Sequence, residues 1–389
     1  MTQSQITTVV NILGSTGSIG RNTLEVIAAN KGIYKVRYLT AYQNAQLLAQ
    51  QAQQFDAEAV AIIDERQYEL CQALLSGTGI AVYTGLEGAL ELAAKGADVT
   101  VSAIVGVAGL APTLASMPNS KVVALANKES VVCGGHLLRA AEKKYGTMVL
   151  PIDSEHCAIL QAMADGALEE VDAITITASG GPCRQMNQEQ MAGISPEMAV
   201  NHPTWRMGPK ISVDCATMFN KGLEVIEAYH FFPVLPGKVE VVVHPQSVVH
   251  AMVTYRNGSS MAQLSLPDMR VPIAHILGVA RKQKLVIPYK RLDLATCGSL
   301  TFEAPDFSRF PLLALAMSVA SAGQAEKVVI NAANEQAVSM FLNGRIGFLE
   351  IQRLVQAALD YGFQSGCETL DSVYALHDEV QHYCSSMVV

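Results

Sequence analysis

The chain has 389 residues, a length that suggests two or three domains. Half of the residues are hydrophobic and only 16% are charged, which excludes intrinsic disorder as the main state. The net charge of −8, from 35 acidic and 27 basic residues, provides no general positive field for a nucleic acid backbone, so we expect no nucleic acid partner.

The sequence predicts neither a membrane span nor a secretory signal. Its most apolar stretch, residues 101–115, is interrupted by glycine, proline and hydroxyl residues and is shorter than the ~20 residues that cross a bilayer. The N-terminal residues MTQSQITTVV lack a basic region followed by an apolar core. The eight cysteines form no C-x-x-C pair, which is typical of reduced thiols. We therefore expect a cytoplasmic protein with no membrane partner.

Residues 1–152 alternate short β-branched runs with helical patterns, which predicts βαβ units and a Rossmann-like parallel sheet. The predicted strands are 8–13, 36–40, 59–63, 80–83, 99–105, 122–126 and 148–152. The helical patterns between them lie at 22–29, 45–53, 68–75, 86–95 and 129–145.

The pattern changes after residue 152. Residues 153–281 hold four apolar runs among glycine- and proline-rich loops, which predicts a central mixed α/β domain. Residues 282–304 are basic and turn-rich without periodicity, which indicates a linker, and residues 305–389 have four helical patterns typical of a C-terminal helical bundle. The four runs are 173–177, 239–244, 248–255 and 261–266, and the helices are 311–322, 326–342, 348–361 and 370–383.

A glycine-rich turn follows the first predicted strand. Its sequence, GSTGSIG at residues 14–20, has the spacing of a turn whose backbone amides receive a pyrophosphate at a helix N-terminus. Ordinary turns also need glycine, but the position after the first strand favours nucleotide binding. Residues 41–44, at the end of the second strand, lack the carboxylate typical of NAD sites and also lack Lys or Arg, so the missing acid alone favours NADP.

Two segments carry candidate catalytic side chains. Asp153 and Glu155 follow the strand at 148–152 and would point to one side if the extended conformation continued. In residues 217–224, a helix would place Asn220 and Lys221 on the same face as Glu224. The alternatives are a helix cap on a solvated loop for the first segment and an exposed Lys221–Glu224 ion pair for the second. Together the segments favour a bound cation and a small phosphorylated substrate.

Three further features are ambiguous by themselves. Lys128 follows the strand at 122–126 at its carboxyl end, where open α/β sheets bind ligands. The segment Ser179-Gly180-Gly181 could surround an anion or simply turn the chain. Trp205, the only tryptophan, lies in a turn-rich loop that would serve as a lid or as a packing element.

Taken in order, these segments resemble the 1-deoxy-D-xylulose 5-phosphate reductoisomerase family, the NADPH-dependent enzymes of the non-mevalonate isoprenoid route. The resemblance extends from Ile12 into the C-terminal helices. It implies an N-terminal NADPH domain, a central catalytic and dimerising domain, a C-terminal helical bundle, a homodimer, and Mg²⁺ or Mn²⁺ as the metal. The motifs that carry it are ILGSTGSIG, LANKES, DSEH, SGGP, HPTWRMGPKISVD, NKGLEVIEA, HPQSVVH and PDMRVPIAH.

The resemblance also implies roles for particular residues. The metal ligands would be Asp153, Glu155 and Glu224, which with Lys128 form the catalytic set. The cofactor contacts would be Thr16, Gly17, Ser18, Ile19, Asn127 and Glu129. The substrate contacts would be Lys128, Ser154, Glu155, Ser179, His202, Trp205, Asn220, Lys221 and Glu224. Of these, Ser179, Asn220 and Lys221 would bind the phosphate. Met207 would belong to the same loop as Trp205, and His250 would lie in the pocket.

Two positions depart from the family pattern. Cys215 stands where the family usually has serine, which removes one hydroxyl donor from the phosphate pocket, and the family often has a basic residue near Gln43.

The resemblance implies a retro-aldol and aldol rearrangement of the ketose phosphate, followed by hydride reduction to 2-C-methyl-D-erythritol 4-phosphate. Two alternatives are an aspartate-semialdehyde-type NADP dehydrogenase, which needs a cysteine nucleophile beside a base, and a non-catalytic dinucleotide-sensing regulator. No cysteine lies in a recognisable nucleophile setting, and no basic cluster suggests a DNA-binding segment.

Overall fold

The computed structural model describes residues 7–163, 168–205, 207–232 and 237–388. Its contacts divide the chain into two compact units. The first comprises the chain up to Ser130, His136–Asp153 and Asp268–Tyr289, and the second comprises Val131–Gly135, Ser154–Pro267 and the chain from Lys290 onward. The division into domains at 1–152, 153–281 and 305–389 with a linker at 282–304 stays a prediction.

The first unit is built on a seven-stranded parallel sheet, as predicted. The central strands are short, apolar and buried, because helices cover a parallel sheet on both faces. The strands are β1 (Thr8–Leu13), β2 (Tyr34–Ala41), β3 (Ala59–Ile62), β4 (Ala81–Thr84), β5 (Val99–Ser102), β6 (Val122–Leu125) and β7 (Met148–Pro151).

The strand order of this sheet is β4-β3-β2-β1-β5-β6-β7. The order reverses between β1 and β5, which is the position where doubly wound sheets bind ligands at the carboxyl ends of their strands. The helices that follow its strands are α1 (Ser18–Ala29), α2 (Ala45–Gln54), α3 (Tyr68–Leu74), α4 (Gly85–Ala94), α5 (Leu110–Ser116) and α6 (Lys128–Tyr145). The Rossmann-like prediction is therefore confirmed, although α5 was not predicted.

The second unit contains a four-stranded mixed sheet of order β11-β10-β8-β9. Strand β10 is antiparallel to both β8 and β11, whereas β8 and β9 are parallel. The strands are β8 (Val171–Ala178), β9 (Val239–Val243), β10 (Val249–Tyr255) and β11 (Ser260–Leu264). The mixed α/β prediction is confirmed.

Helices complete both units. The helices between β7 and β9 are α7 (Ser154–Ala162), α8 (Gln188–Ala192), α9 (Pro196–Val200), α10 (Pro209–Ala216) and α11 (Phe219–Phe231). After β11 come α12 (Arg270–Arg281), α13 (Leu294–Cys297), α14 (Pro311–Ala320), α15 (Gln324–Leu342), α16 (Phe348–Tyr361) and α17 (Leu370–Ser386). The last four are the predicted C-terminal helices. None of the helices in the described residues combines the length and apolar character that a bilayer span needs.

The structure corrects one local expectation. The extended conformation does not continue through Glu155, because α7 begins at Ser154 and places Glu155 in its first turn. The alternative of a helix cap on a solvated loop is right about the helix, which begins at Ser154, and wrong about the solvated loop, because Asp153 is buried.

Candidate active site

The glycine-rich turn joins β1 to α1 with very close backbone packing. Gly14 has a φ of +85°, and a Cβ there would lie 2.8 Å from the carbonyl oxygen of Ala103. A Cβ on Gly20 would lie 2.5 Å from the carbonyl oxygen of Gly14. Only glycine fits these two positions, so the turn keeps its backbone close to the end of β5.

The N-terminus of α1 has the properties of an anion site. Gly17 is the N-cap and provides no side chain to the amides of the first turn, which contains no acidic residue. Gly17 and Ser18 are exposed, and Thr16 and Ile19 are half-buried. Free amides and a positive helix terminus are what a pyrophosphate binds. Four of the six predicted cofactor residues therefore lie at one turn with these properties.

Asn127 links the start of α6 to the loop after β5. Its side-chain amide donates to the carbonyl oxygens of Ile104 and Gly106, the latter at 2.8 Å, and its Oδ1 caps the helix by accepting from Ser130. Asn127 and its neighbour Glu129 are both buried. Asn127 thus fixes the loop that follows β5. The glycine-rich turn at residues 14–20 packs against the start of the same loop.

Lys128 is paired with the residue that follows β7. Its ammonium lies 2.7 Å from Oδ1 of Asp153, and both side chains are about nine-tenths buried, at 9% and 11% exposure. Because β6 and β7 are neighbours, their carboxyl ends bring the two residues together. A buried lysine fixed by a carboxylate is a directed donor rather than a mobile surface charge.

Glu155 and Glu224 share one lysine in the second unit. The ammonium of Lys221 lies 2.6 Å from Oε1 of Glu155 on α7 and also contacts Oε2 of Glu224, one turn along α11. A carboxylate oxygen of Glu155 and one of Glu224 lie within 4.8 Å of each other. The prediction that Lys221 and Glu224 share a helical face is confirmed, and the alternative of an exposed pair is wrong, because their side chains are 5% and 1% exposed.

Asn220 completes this cluster. Its amide donates to Oε1 of Glu224 at 2.7 Å, so both oxygens of that carboxylate accept hydrogen bonds. The Oδ1 atom of Asn220 is buried and has no hydrogen-bond partner among the described residues. An oxygen without a partner beside two carboxylates fits a donor set for a hard cation.

The charges in this cluster keep Lys221 protonated. Burial alone would lower the pKa of its ammonium, but the adjacent carboxylates of Glu155 and Glu224 outweigh burial and raise the pKa above its usual range. The cluster therefore holds a protonated lysine between the carboxyl groups of Glu155 and Glu224.

His156 supports Glu224 from the buried side of α7. One of its ring nitrogens, Nε2, lies 2.9 Å from the main-chain oxygen of Glu224, and the other, Nδ1, is 3.7 Å from Glu227. The ring is fully buried and stacks on Phe232. His156 is not among the predicted site residues, although its place in the motif DSEH is the signal that could have found it.

The loop after β8 and the loop before α10 meet at Ser179. The Oγ of Ser179 lies 2.9 Å from Nε2 of His202 and accepts from the amide of Gly181 at 3.2 Å. The Nδ1 of His202 accepts from the amides of Thr204 and Trp205, and burial lowers the pKa of this ring. A neutral ring with an accepting Nδ1 carries its proton on Nε2, so His202 donates to Ser179 and the serine hydroxyl keeps its own proton for another acceptor.

Trp205 is half-buried and lies edge-on to His250, with ring centroids 6.3 Å apart. Met207 is also half-buried, and Arg206 lies outside the described residues. The structure thus gives Trp205 a packing contact with His250, and its role as a lid stays a prediction.

The turn after Ser179 is packed against the C-terminal end of α10. Gly181 has a φ of +64°, and a Cβ there would lie 2.3 Å from the carbonyl oxygen of Cys215. Cys215, the predicted departure from the family pattern, is half-buried at this contact. Its backbone therefore lies against the loop that carries Ser179.

The fold and the site together define a class of protein. A doubly wound sheet with a glycine-rich turn at its strand reversal, joined to a second unit that holds a buried carboxylate and lysine cluster, is the organisation of a dinucleotide-dependent enzyme that also has an acidic site.

The comparisons with known proteins identify the family. Three family models match the chain. The model of 1-deoxy-D-xylulose 5-phosphate reductoisomerase matches residues 10–135. The model of the C-terminal domain of this enzyme matches residues 149–232, and a further model, described as the DXP reductoisomerase C-terminal domain, matches residues 264–383. This chain belongs to the 1-deoxy-D-xylulose 5-phosphate reductoisomerase family.

Relatives and solved structures agree over nearly the whole length. The enzyme of that name from Zymomonas mobilis is 45% identical over 379 residues, 97% of each chain, and that from Rhodospirillum centenum is 46% identical, with 97% of this chain and 94% of the relative covered. A structure of the Zymomonas mobilis enzyme in complex with NADPH has a TM-score of 0.92 at 43% identity and covers 98% of this chain and 99% of its own. A structure in complex with NADPH, fosmidomycin and magnesium has a TM-score of 0.92 at 37% identity, with 98% of each chain covered.

These matches support the reductoisomerase reading over both alternatives. Cys71 and Cys183 are poorly suited to be a semialdehyde-type nucleophile, because burial raises the pKa of Cys71 to about 11 and of Cys183 to about 12. The chain is an enzyme of this family and not a sensing regulator.

Proposed function

We propose that this chain converts 1-deoxy-D-xylulose 5-phosphate to 2-C-methyl-D-erythritol 4-phosphate with NADPH and a divalent metal, using the residues described above. The observation that carries the proposal is the buried arrangement of Glu155, Lys221 and Glu224 in a chain of this family. A cluster of this charge, buried at this depth, costs folding free energy and is therefore expected to serve binding.

The proposed cofactor site is the turn at Thr16, Gly17, Ser18 and Ile19. The turn fits a dinucleotide because Gly14 and Gly20 allow close backbone packing and because the first-turn amides of α1 have no side-chain cap. Asn127 and Glu129 are the further contacts in this proposal. Asn127 holds the loop after β5 in place and so fixes the rim of the cofactor site.

The proposed metal ligands are Asp153, Glu155 and Glu224. Carboxylate oxygens are the ligands that Mg²⁺ and Mn²⁺ prefer, and the unpartnered Oδ1 of Asn220 lies on the helix that carries Glu224. A bound divalent ion supplies Lewis-acid polarisation of the substrate carbonyl and of its neighbouring hydroxyl.

The substrate's phosphate is proposed to bind Ser179, Asn220 and Lys221. Ser179 keeps its hydroxyl proton for an acceptor, because His202 and Gly181 both donate to its oxygen. The substrate carbon chain would contact Lys128, Ser154 and His202, and Trp205 would cover it together with Met207 and His250.

These residues suit a rearrangement that shifts charge between substrate oxygens. In the retro-aldol step the C3–C4 bond breaks, and the aldol step then joins the two fragments into a branched aldehyde that accepts hydride. Lys128, fixed by Asp153, is a directed donor for an oxygen that gains negative charge. Glu155 and Glu224, held by Lys221 and His156, keep their positions while the substrate changes shape.

We also propose that the protein is a cytoplasmic homodimer that accepts Mn²⁺ in place of Mg²⁺. In the described residues β11 is an edge strand with an exposed Met261, and such an edge is a surface that a second chain can pair with. Light scattering of the purified protein tests the dimer, and a single chain mass in solution would contradict it.

Metal binding tests the proposed ligands without relying on turnover. Electron paramagnetic resonance of Mn²⁺ should show that Glu155→Gln and Glu224→Gln each weaken binding at least tenfold. Glu240→Gln, an exposed position on β9, is the matched control and should bind as the unaltered protein does. Equal Mn²⁺ affinity in all four proteins would show that the cluster is structural.

A further inference from the structure

The end of β2, where doubly wound sheets receive the adenosine end of a dinucleotide, has no charged residue. From Tyr38 to Phe55, through the end of β2 and all of α2, the sequence contains no Asp, Glu, Lys or Arg. In doubly wound sheets the ribose that carries the 2′-phosphate of NADP lies at the end of β2, where a basic group neutralises it. The neutralising group must therefore come from another part of the first unit.

The neighbouring strand brings a basic residue to this point. Strand β3 pairs with β2, and the pairing continues beyond both strands, because the amide of Ile63 donates to Ala41 and the amide of Asp64 donates to Tyr42, at 2.9 and 2.8 Å. The residues that follow β3 therefore lie beside those that follow β2. Arg66 is two residues further along, in the short turn of helix Glu65–Gln67.

Arg66 is held in one orientation by Asp64. Its Nε and Nη2 donate to the two oxygens of that carboxylate, each at 2.9 Å, and its main-chain amide donates to Oδ1 at 3.1 Å. The Asp64 side chain is only 7% exposed, whereas that of Arg66 is 81% exposed. The Asp64 carboxylate thus fixes the Arg66 guanidinium through Nε and Nη2, and the Nη1 edge faces away from Asp64. A planar guanidinium edge of this kind can donate hydrogen bonds to a phosphate group.

Most exposed ion pairs contribute little to stability. The Asp64–Arg66 pair differs from such pairs in two respects. The Asp64 carboxylate is nearly buried, and the pair follows β3, next to the uncharged end of β2. Without Arg66, the carboxylate of Asp64 would repel a phosphate at this position and would instead suit a ribose hydroxyl.

We propose that Arg66, positioned by Asp64, recognises the 2′-phosphate of NADPH and sets the preference for NADPH over NADH. The inference rests on the proposed function, in that it takes the glycine-rich turn as the cofactor site. Arg66 follows β3 and is not one of the six residues that the sequence predicts to contact the cofactor.

Binding measurements on the full chain test the proposal. The dissociation constants of NADPH and NADH are measured by nicotinamide fluorescence for the unaltered protein, Arg66→Gln, Arg66→Lys and Lys121→Gln. Lys121 is the matched control, because its side chain is 79% exposed and pairs with Asp98 at 2.6 Å. It directly precedes β6 and therefore lies at the amino ends of the parallel strands, away from the carboxyl ends where Arg66 lies. Competition by 2′,5′-ADP and by 5′-ADP isolates the phosphate contribution.

We expect Arg66→Gln to weaken NADPH and 2′,5′-ADP binding by about tenfold or more, the effect of losing one charge-assisted contact. NADH and 5′-ADP binding should stay within about twofold or tighten, Arg66→Lys should be intermediate, and Lys121→Gln should bind as the unaltered protein does.

Equal loss of affinity for both cofactors, no loss of affinity, or the same loss in Lys121→Gln would overturn the proposal. If the unaltered protein binds NADPH but Arg66→Gln keeps its preference, only this inference fails. If the unaltered protein binds neither cofactor, the proposed function fails as well.

Discussion

At the scale of single residues, the buried ammonium group of Lys221 holds the two carboxylates of the acidic cluster together. Lys221 contacts both Glu155 and Glu224, and Asn220 donates to the second carboxylate. Removing one member of a buried charged set leaves the others without compensation, which typically costs about 3–5 kcal/mol. Substitutions here should therefore preserve shape and hydrogen bonds while changing charge.

Glu224→Gln is such a substitution. We expect it to abolish turnover, because it removes a proposed metal ligand, and to leave NADPH affinity within about twofold, because the glycine-rich turn belongs to the first unit. A coupled activity assay and a fluorescence titration measure the two effects. Loss of cofactor affinity in proportion to activity would show that Glu224 supports the fold.

Cys215→Ser tests the departure from the family pattern. A thiol is a weak donor, so the serine hydroxyl should recover part of a hydrogen bond to a charged acceptor, which is worth roughly 1.5–3 kcal/mol at full strength. The KM for the phosphorylated substrate should fall while kcat changes little, and substrate should protect Cys215 from a small alkylating reagent. An unchanged KM without protection would place the thiol outside the phosphate site.

At the scale of secondary structure, the sequence predicted most of the first sheet, because its strands are apolar, short and separated by turn residues. The helical face that joins Asn220, Lys221 and Glu224 was equally predictable from spacing. Their burial was not, because periodicity identifies a face without showing what covers it. Likewise, the segment at Asp153 and Glu155 matches both a loop and a helix start, and only α7 packing on β10 and β11 favours the helix.

The position of the Asp64–Arg66 pair next to the end of β2 was also not predictable from local patterns. The residues Asp64 and Arg66 are an ordinary turn pair in the sequence. Their position depends on β3 lying next to β2, which is long-range information.

The helix that carries the cluster packs closely on α14. A Cβ on Gly222 would lie 2.4 Å from the Cβ of Ala316, so Gly222→Ala should overpack this contact and lower stability by about 1–3 kcal/mol. The midpoint of thermal unfolding should fall accordingly. The reciprocal pair Gly222→Ala with Ala316→Gly should recover most of the loss, and a double variant no more stable than the single one would contradict this account.

At the scale of the whole molecule, the two units carry different groups of the proposed site residues. The first unit has the dinucleotide turn and the Asp64–Arg66 pair, and the second has the carboxylate and lysine cluster and the loop with Ser179. The family assignment covers both, since the matched segments extend from residue 10 to residue 383.

Cofactor preference is the property that the first unit should determine. We expect kcat/KM to be higher with NADPH than with NADH, because residues 41–44 contain no carboxylate to repel the 2′-phosphate. Steady-state kinetics with both cofactors measure the ratio. Equal values would show that this end of the sheet does not recognise the phosphate.

The most direct test of the central claim is NADPH oxidation by the purified full chain with 1-deoxy-D-xylulose 5-phosphate, followed at 340 nm in the presence and absence of Mg²⁺. We expect NADPH oxidation to require this substrate, to stop in excess chelator and to resume when Mg²⁺ is restored. Undiminished turnover in excess chelator, or NADPH oxidation that does not depend on the substrate, would contradict it.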